Sequence, residues 1–173
     1  MHILKKIMAF AALASLFVHA ADYPALHNTL IEFYRYQRAG LKDTNPHNPF
    51  YTTTPYPHAN DSYQGQALDG GWYDAGDFVK FGLPLGFSVY CLLKGYDVFP
   101  EYYDDKNSWS SIGESDEVPD ILNETKVATD YLIKAVIGET SVIMDVGNAQ
   151  QDHGQLYESG YQNSSRIPNR QVY

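Results

Sequence analysis

The stretch Asp69-Gly-Gly-Trp-Tyr-Asp-Ala-Gly-Asp-Phe-Val-Lys-Phe-Gly-Leu-Pro84 constrains this chain more than any other. At its centre, Asp74-Ala75-Gly76-Asp77 sets two carboxylates three residues apart, separated only by the two smallest residues. Glycines stand before them (Gly70, Gly71) and after them (Gly82), and Trp72, Tyr73, Phe78 and Phe81 flank both sides. Like charges this close repel, so folding alone gains little from the arrangement. The stretch therefore reads as chemistry.

Paired carboxylates around one water can deprotonate it, one acting as base while the other orients the water through its second hydrogen. The intervening glycine frees the backbone for a tight turn and leaves room for a ligand. On a helical turn, a three-residue offset puts both side chains on one side. Such a pair suits hydrolysis of a glycoside with inversion, where a separate acid about 6.5–9.5 Å away protonates the leaving oxygen. Two other readings remain open on the residues alone. Asp-x-x-Asp could ligate calcium, although calcium wants more oxygen ligands than the surrounding Trp, Tyr and Phe supply. The acids could also sit in a purely structural, solvated turn.

Charge narrows the partners. With 12 Lys+Arg against 21 Asp+Glu, the net charge is −9, and no basic patch exists to neutralise phosphates. That excludes nucleic acid and an anionic membrane surface as partners. Tyr is abundant, at 15 against 8 Phe and 2 Trp. A tyrosine has an apolar face and a polar tip, which suits a ligand with apolar ring faces and hydroxylated edges, such as a sugar. Ordinary core and rim packing would use the same residues.

Residues 1–20 read as a signal peptide: Lys5 and Lys6, an uncharged apolar run from Ile7 to Val18, then Val18-His19-Ala20 before a mature start near Ala21. The run is too short to span a bilayer, so the expected location is secreted, extracellular. The single cysteine, Cys91, lies in the apolar run Val89-Tyr-Cys-Leu-Leu93 and is expected to be a small buried hydrophobe. No Cys/His cluster has zinc spacing, and neither a metal nor a cofactor is expected.

In chain order, residues 23–40 read as a helix with Leu26, Leu30, Ile31, Phe33 and Tyr34 near the helical period, Arg35 and Arg38 toward its C-terminal end, and Gly40 as its stop. Residues 41–70 read as a long functional loop, with His58 on its surface. Leu83-Pro84 opens a second helix running to about Tyr96, with Leu85, Val89, Leu92, Leu93 and Tyr96 as its apolar stripe. After an acidic connection, a third helix is expected from a Ser115 or Asp116 cap to about Val136. Val142-Ile143-Met144 reads as a brief strand, and residues 148–173 as polar and aperiodic. Asn-x-Ser/Thr sites occur at Asn60, Asn123 and Asn163.

The residues 70–84 resemble the N-terminal signature of glycoside hydrolase family 9, the inverting endo-β-1,4-glucanases and related cellulases. Tyr36-Gln-Arg-Ala-Gly40 resembles the family's Tyr-Gln-Arg-Ser/Ala-Gly segment. Glu117-Val-Pro-Asp-Ile-Leu-Asn-Glu124 resembles its Pro-Asp-Ile-Leu-Asp-Glu helix, with Asn123 in place of the usual Asp, and Tyr131-Leu-Ile-Lys134 matches that helix's end. Val146-Gly147 followed by Asp152-His153 resembles its Val-Gly…Asp-His segment. The match spans most of residues 23–155.

The resemblance implies an all-α (α/α)6 barrel, here only its N-terminal part, in a domain covering residues 21–173. It implies that Asp77 is the catalytic base, that Asp74 helps hold the nucleophilic water, that His153 lines the sugar subsites, and that the partner is a β-1,4-glucan such as cellulose. Trp72 and Tyr73 are expected to pack and set the turn, and Glu124 to hold a structural position. Departures are Leu156 and Ser159-Gly160, where the family has Trp and then Pro-Glu, and Phe78, where His or Tyr is common. The family's catalytic acid, a Glu near its C-terminus, has no counterpart in this sequence. Without residues 1–20 the chain has 173 − 20 = 153 residues, short of the roughly 190 that twelve helices and their connections need. The expectation is a fragment, inactive alone, with apolar stripes of its second and third helices partly uncovered; the alternative is a non-catalytic carbohydrate-binding remnant.

Overall fold

The computed structural model describes residues 22–40, 58, 60–105, 116–152 and 168–172. The first helix, α1, spans Tyr23–Tyr36. Asp22 caps it by accepting the Ala25 amide at 3.1 Å, and Pro24 occupies its first turn, where no intrahelical donor is lost. It stops at Tyr36 rather than Gly40, because residues 37–39 leave the helix to pair with residues 70–73.

The stretch expected to be one long loop contains a short hairpin, β1 (Ser62–Tyr63) on β2 (Gln66–Ala67). Its turn residues Gln64 and Gly65 both have positive φ, 49° and 86°, which matches the strand twist in a two-residue hairpin. Gln-Gly is a weaker turn signal than Asn-Gly, so the hairpin leaves little trace in the sequence. Residues 41–57 lie outside the described residues.

Strand β3 (Lys80–Phe81) runs directly into α2 (Gly82–Val98), which carries Pro84 in its first turn as expected. Glycine is required at position 82 by close approach: a Cβ there would meet the Met144 carbonyl oxygen at 2.8 Å. The third helix, α3 (Asp120–Ala135), starts later than expected. Pro119 takes the cap position, while the Asp116 carboxylate instead accepts the Val118 amide at 2.9 Å and the Asn123 side chain at 3.1 Å.

The all-α expectation is incomplete. The three expected helices form, with α1 and α3 shorter than the periodicity suggested, but a four-stranded antiparallel sheet packs beside them. Its centre is β5 (Ser141–Val146), the strand anticipated at Val142–Met144. Strand β6 (Pro168–Val172) lies along one edge of β5, and β4 (Val136–Gly138) and β3 share the other edge. These strands are only two to six residues long, too short for a periodicity signal. A four-residue helix, α4 (Ala149–Asp152), follows β5.

The core joins Leu68, Trp72, Leu85, Val89, Ala128, Tyr131, Ala135, Ile143 and Val146. Thus α2, α3 and β5 close around the two ends of the acidic stretch. Cys91 is not in that core: it is exposed. Helix residues turn by about 100°, so Cys91, two positions beyond buried Val89, points away from the packed face. Apolar surface also remains open on α1 (Leu26, Leu30 and Phe33) and on α2 (Leu83, Phe87 and Tyr90), each set spaced along one helix face.

Candidate active site

Two buried ion pairs fix the frame of the acidic stretch. Residues 37–39 and 70–73 run side by side: the Ala39 amide donates to the Gly71 carbonyl at 2.9 Å, the Gly70 amide to the Ala39 carbonyl at 2.9 Å, and the Tyr73 amide to the Gln37 carbonyl at 2.7 Å. Gly71 makes this possible, with φ +75° and a ring carbon of Tyr131 only 2.7 Å from where a Cβ would stand. Behind this pairing, Glu124 of α3 accepts from Arg38 Nε at 3.1 Å, from the second Arg38 nitrogen Nη2, and from Trp72 Nε1 at 2.8 Å. Both partners are buried, so Arg38 serves a pairing role rather than a helix-dipole one, and Glu124 is structural as expected. Arg35 is likewise buried.

Lys80 holds the other end. Fully buried, its ammonium pairs with Asp61 at 3.0 Å, donates to the Leu68 and Gly70 carbonyls, and stands 4.4 Å over the Tyr131 ring. A buried charge is tolerated only when paired and hydrogen-bonded in this way.

Between these anchors, residues 74–79 close on themselves. The Asp74 amide donates to the Val79 carbonyl at 2.9 Å and the Phe78 amide to the Ala75 carbonyl at 3.2 Å. The Val79 amide donates to Asp77 Oδ1 at 3.3 Å, orienting that carboxylate. The two acids differ sharply in setting: Asp74 is exposed, and Asp77 is 5% exposed. The loop also holds Phe78 at φ +57°, a conformation that costs a bulky residue about 1–3 kcal/mol. Ring packing offsets it. Phe78 meets Tyr73 edge-on at 5.0 Å, and the Tyr73 hydroxyl lies 2.6 Å from His58 Nδ1. His58 is thus half-buried under the loop rather than on the surface, a role no local sequence pattern announces.

Asp74 lines an open cleft of about 460 Å³, solvent at its mouth included, together with Phe33, Tyr34, Gln37, Trp72 and Tyr73 from α1 and the paired segment. Trp72 and Tyr73 are buried packing residues, as expected, yet both also form the cleft wall. Gln37 was legible as part of the Tyr36–Gly40 motif but not as a neighbour of the acid. His153 and Asn163 lie outside the described residues. Among the described residues, no three His, Cys, Asp or Glu side chains converge to hold a metal ion.

Comparison with known proteins follows the same segment. A family model described as glycosyl hydrolase family 9 matches residues 23–173. Endoglucanase 4 of Bacillus sp. (strain KSM-522) is 40% identical over 90 residues, covering 52% of this chain and 13% of that protein. The structure of an endoglucanase from the termite Nasutitermes takasagoensis superposes with a TM-score of 0.69 at 30% identity, covering 89% of this chain and 33% of that one. Endoglucanase CelQ from Clostridium thermocellum, solved with cellotetraose, superposes with a TM-score of 0.63 at 25% identity, covering 88% of this chain and 23% of that one. The chain therefore spans a third or less of each of these proteins.

Proposed function

Because this chain belongs to glycosyl hydrolase family 9, we propose that it supplies the water-activating part of an enzyme that hydrolyses β-1,4-glucosidic bonds in cellulose or related β-glucans with inversion. The observation that carries the reading is the asymmetry of the acid pair. Asp77 is buried, with one carboxylate oxygen oriented by the Val79 amide, and Asp74 stands exposed at the cleft wall. Both belong to the same closed loop, whose backbone bonds fix the spacing of their Cα atoms. Asp77 takes the proton of the attacking water as general base. Asp74 accepts the second hydrogen of that water and aims its lone pair at the anomeric carbon.

The leaving oxygen needs a proton from a separate acid on the opposite face, about 6.5–9.5 Å from the base. In this reading that acid comes from the family's C-terminal Glu, in the portion of the barrel that this chain does not span, and the chain alone is inactive. His153 would line the sugar subsites. Phe33, exposed on the cleft wall with Trp72 and Tyr73 packed behind it, offers an apolar face to a sugar ring. Residues 1–20 would direct export, placing the enzyme outside the cell with its polymeric substrate.

A chimera tests this reading. This chain replaces the matching third of the termite endoglucanase, and hydrolysis of soluble cellulose is followed by proton NMR of the newly formed anomer. The expected result is turnover with the α-anomer appearing first. Asp77→Ala should abolish it while leaving oligosaccharide binding intact. Near-normal turnover in Asp77→Ala, or first appearance of the β-anomer, would overturn the assignment.

A further inference from the structure

The tyrosine excess is only partly absorbed by the cleft. A second aromatic cluster lies where α1 begins and α2 ends. Tyr23 of α1 packs against Tyr102 with centroids 5.7 Å apart, and Phe99 packs against the other flank of the group at 6.1 Å from Tyr102. Beneath them, His27 stacks on Tyr103 at 4.6 Å with planes 5° apart, and Tyr96 meets Tyr103 edge-on. The underlayer is tied down: Asn28 donates to Asp104 at 3.1 Å, and the Asp120 amide donates to the Asp104 carbonyl at 3.0 Å, linking the cluster to α3. Yet its upper members stay open to solvent. Tyr23 is 50% exposed and Phe99 is 52% exposed.

Its position separates it from the acidic loop. Helix α2 starts one residue after β3, beside the loop, and Phe99 follows its last residue. Seventeen residues of helix put the two ends about 25 Å apart. The same holds for α1, whose Tyr34 packs on Trp72 at 4.6 Å while its first residue, Tyr23, joins the cluster. The cluster is at the opposite pole.

Charge selects the occupant. Asp22 precedes Tyr23, Asp97 and Glu101 straddle Phe99, and Asp104 and Asp105 follow Tyr103. Such a setting repels phosphates, anionic lipids and acidic polysaccharides. It accepts a neutral ligand that stacks on rings and donates hydroxyl hydrogens to carboxylates. Tyr102 touches both Tyr23 and Phe99, with planes tilted by 53° and 46°, so the three rings present successive faces that suit an extended chain.

We propose that Tyr23, Tyr102 and Phe99 form a second β-glucan-binding platform, remote from the acid pair, that holds a neutral polysaccharide chain by ring stacking. The choice of β-glucan rests on the proposed function; the platform itself rests on the exposed ring row and its acidic surround. The test is affinity electrophoresis of the full-length chain through gels containing hydroxyethyl cellulose, at low salt and with 0.5 M NaCl. Wild type and Asp77→Ala should be retarded equally, with no loss in salt. Tyr23→Ala combined with Phe99→Ala should weaken retardation about tenfold. Should that double variant lose its far-UV circular dichroism, NMR of the wild type titrated with cellotetraose decides instead, with ring-proton shifts expected at Tyr23 and Phe99.

Absence of retardation in the wild type, equal retardation in the folded double variant, or an NMR titration that leaves both rings unmoved overturns the proposal. Retardation abolished by salt would mean that ionic attraction rather than ring stacking holds the protein, and retardation by starch but not by the β-glucan points to another polymer; each also overturns it. Loss of chimera hydrolysis with the platform still retarded would fault the catalytic reading alone.

Discussion

Arg38 and Glu124 stand 86 positions apart and meet in a buried, two-pronged ion pair, with the Trp72 indole closing onto the same carboxylate. Removing one partner of such a pair strands the other charge in a low-dielectric interior, so Glu124→Ala is expected to cost about 3–5 kcal/mol. Urea denaturation of this variant beside the wild type checks it. A loss under 1 kcal/mol would mean that Arg38 finds water or another partner at little cost.

Gly71 and Gly65 separate backbone strain from crowding. Both have positive φ, but a Cβ at Gly71 would collide with the Tyr131 ring at 2.7 Å, while one at Gly65 meets nothing within 4 Å. Gly65→Ala should cost about 1 kcal/mol, the left-handed penalty alone. Gly71→Ala should cost more, by the added overpacking of about 1–3 kcal/mol. Equal thermal shifts in the two variants would contradict this ordering.

Lys80 is the only charged residue in the short strand β3, and it is fully buried. Lys80→Met keeps most of its volume but leaves Asp61 and two carbonyls without their donor. A loss of several kcal/mol is expected, and Asp61→Asn in the same chain should recover part of it because the stranded charge is gone. A double-mutant cycle by thermal denaturation measures the coupling, and strict additivity would argue against it.

Cys91 faces solvent on α2. Its thiol should react with Ellman's reagent in the native protein at a rate close to that in urea, whereas a buried thiol would be protected. Strong protection in the native state would return Cys91 to the core.

Leu83 is 83% exposed and Phe87 is 65% exposed, one turn apart on α2. Contiguous exposed apolar surface binds hydrophobic dyes and promotes association. The pair Leu83→Glu and Phe87→Glu should lower dye fluorescence and raise the soluble fraction without changing helix content. Unchanged dye binding would show that this face is not the source.

The sequence made the helices and the acid pair legible for a local reason: apolar residues at the helical period, and two carboxylates joined only by Ala75 and Gly76. Even so, α1 keeps only Ile31 and Arg35 fully buried, so its apolar stripe marked a helix without marking which face would be covered. Non-local facts were less visible. Pairing of residues 37–39 with 70–73 shortened α1, and partners far along the chain turned Arg38 from a dipole residue into half of a buried pair. The short strands β3 and β4 draw their stability from β5, not from their own residues. His58 is held by the Tyr73 hydroxyl, fifteen residues away, and by the Phe78 ring, twenty residues away.

The clasp between Ala39 and Gly70 has one further consequence. It brings the two ends of the span 40–69 together: the Ala39 carbonyl accepts the Gly70 amide and the Ala39 amide donates to the Gly71 carbonyl, both at 2.9 Å. A span whose ends are already joined can change length without moving what lies beyond the clasp, since doubling a loop adds only about 0.6 kcal/mol of closure entropy. Length changes before Asp61 leave the Asp61–Lys80 pair, and with it the frame of the two aspartates, in place.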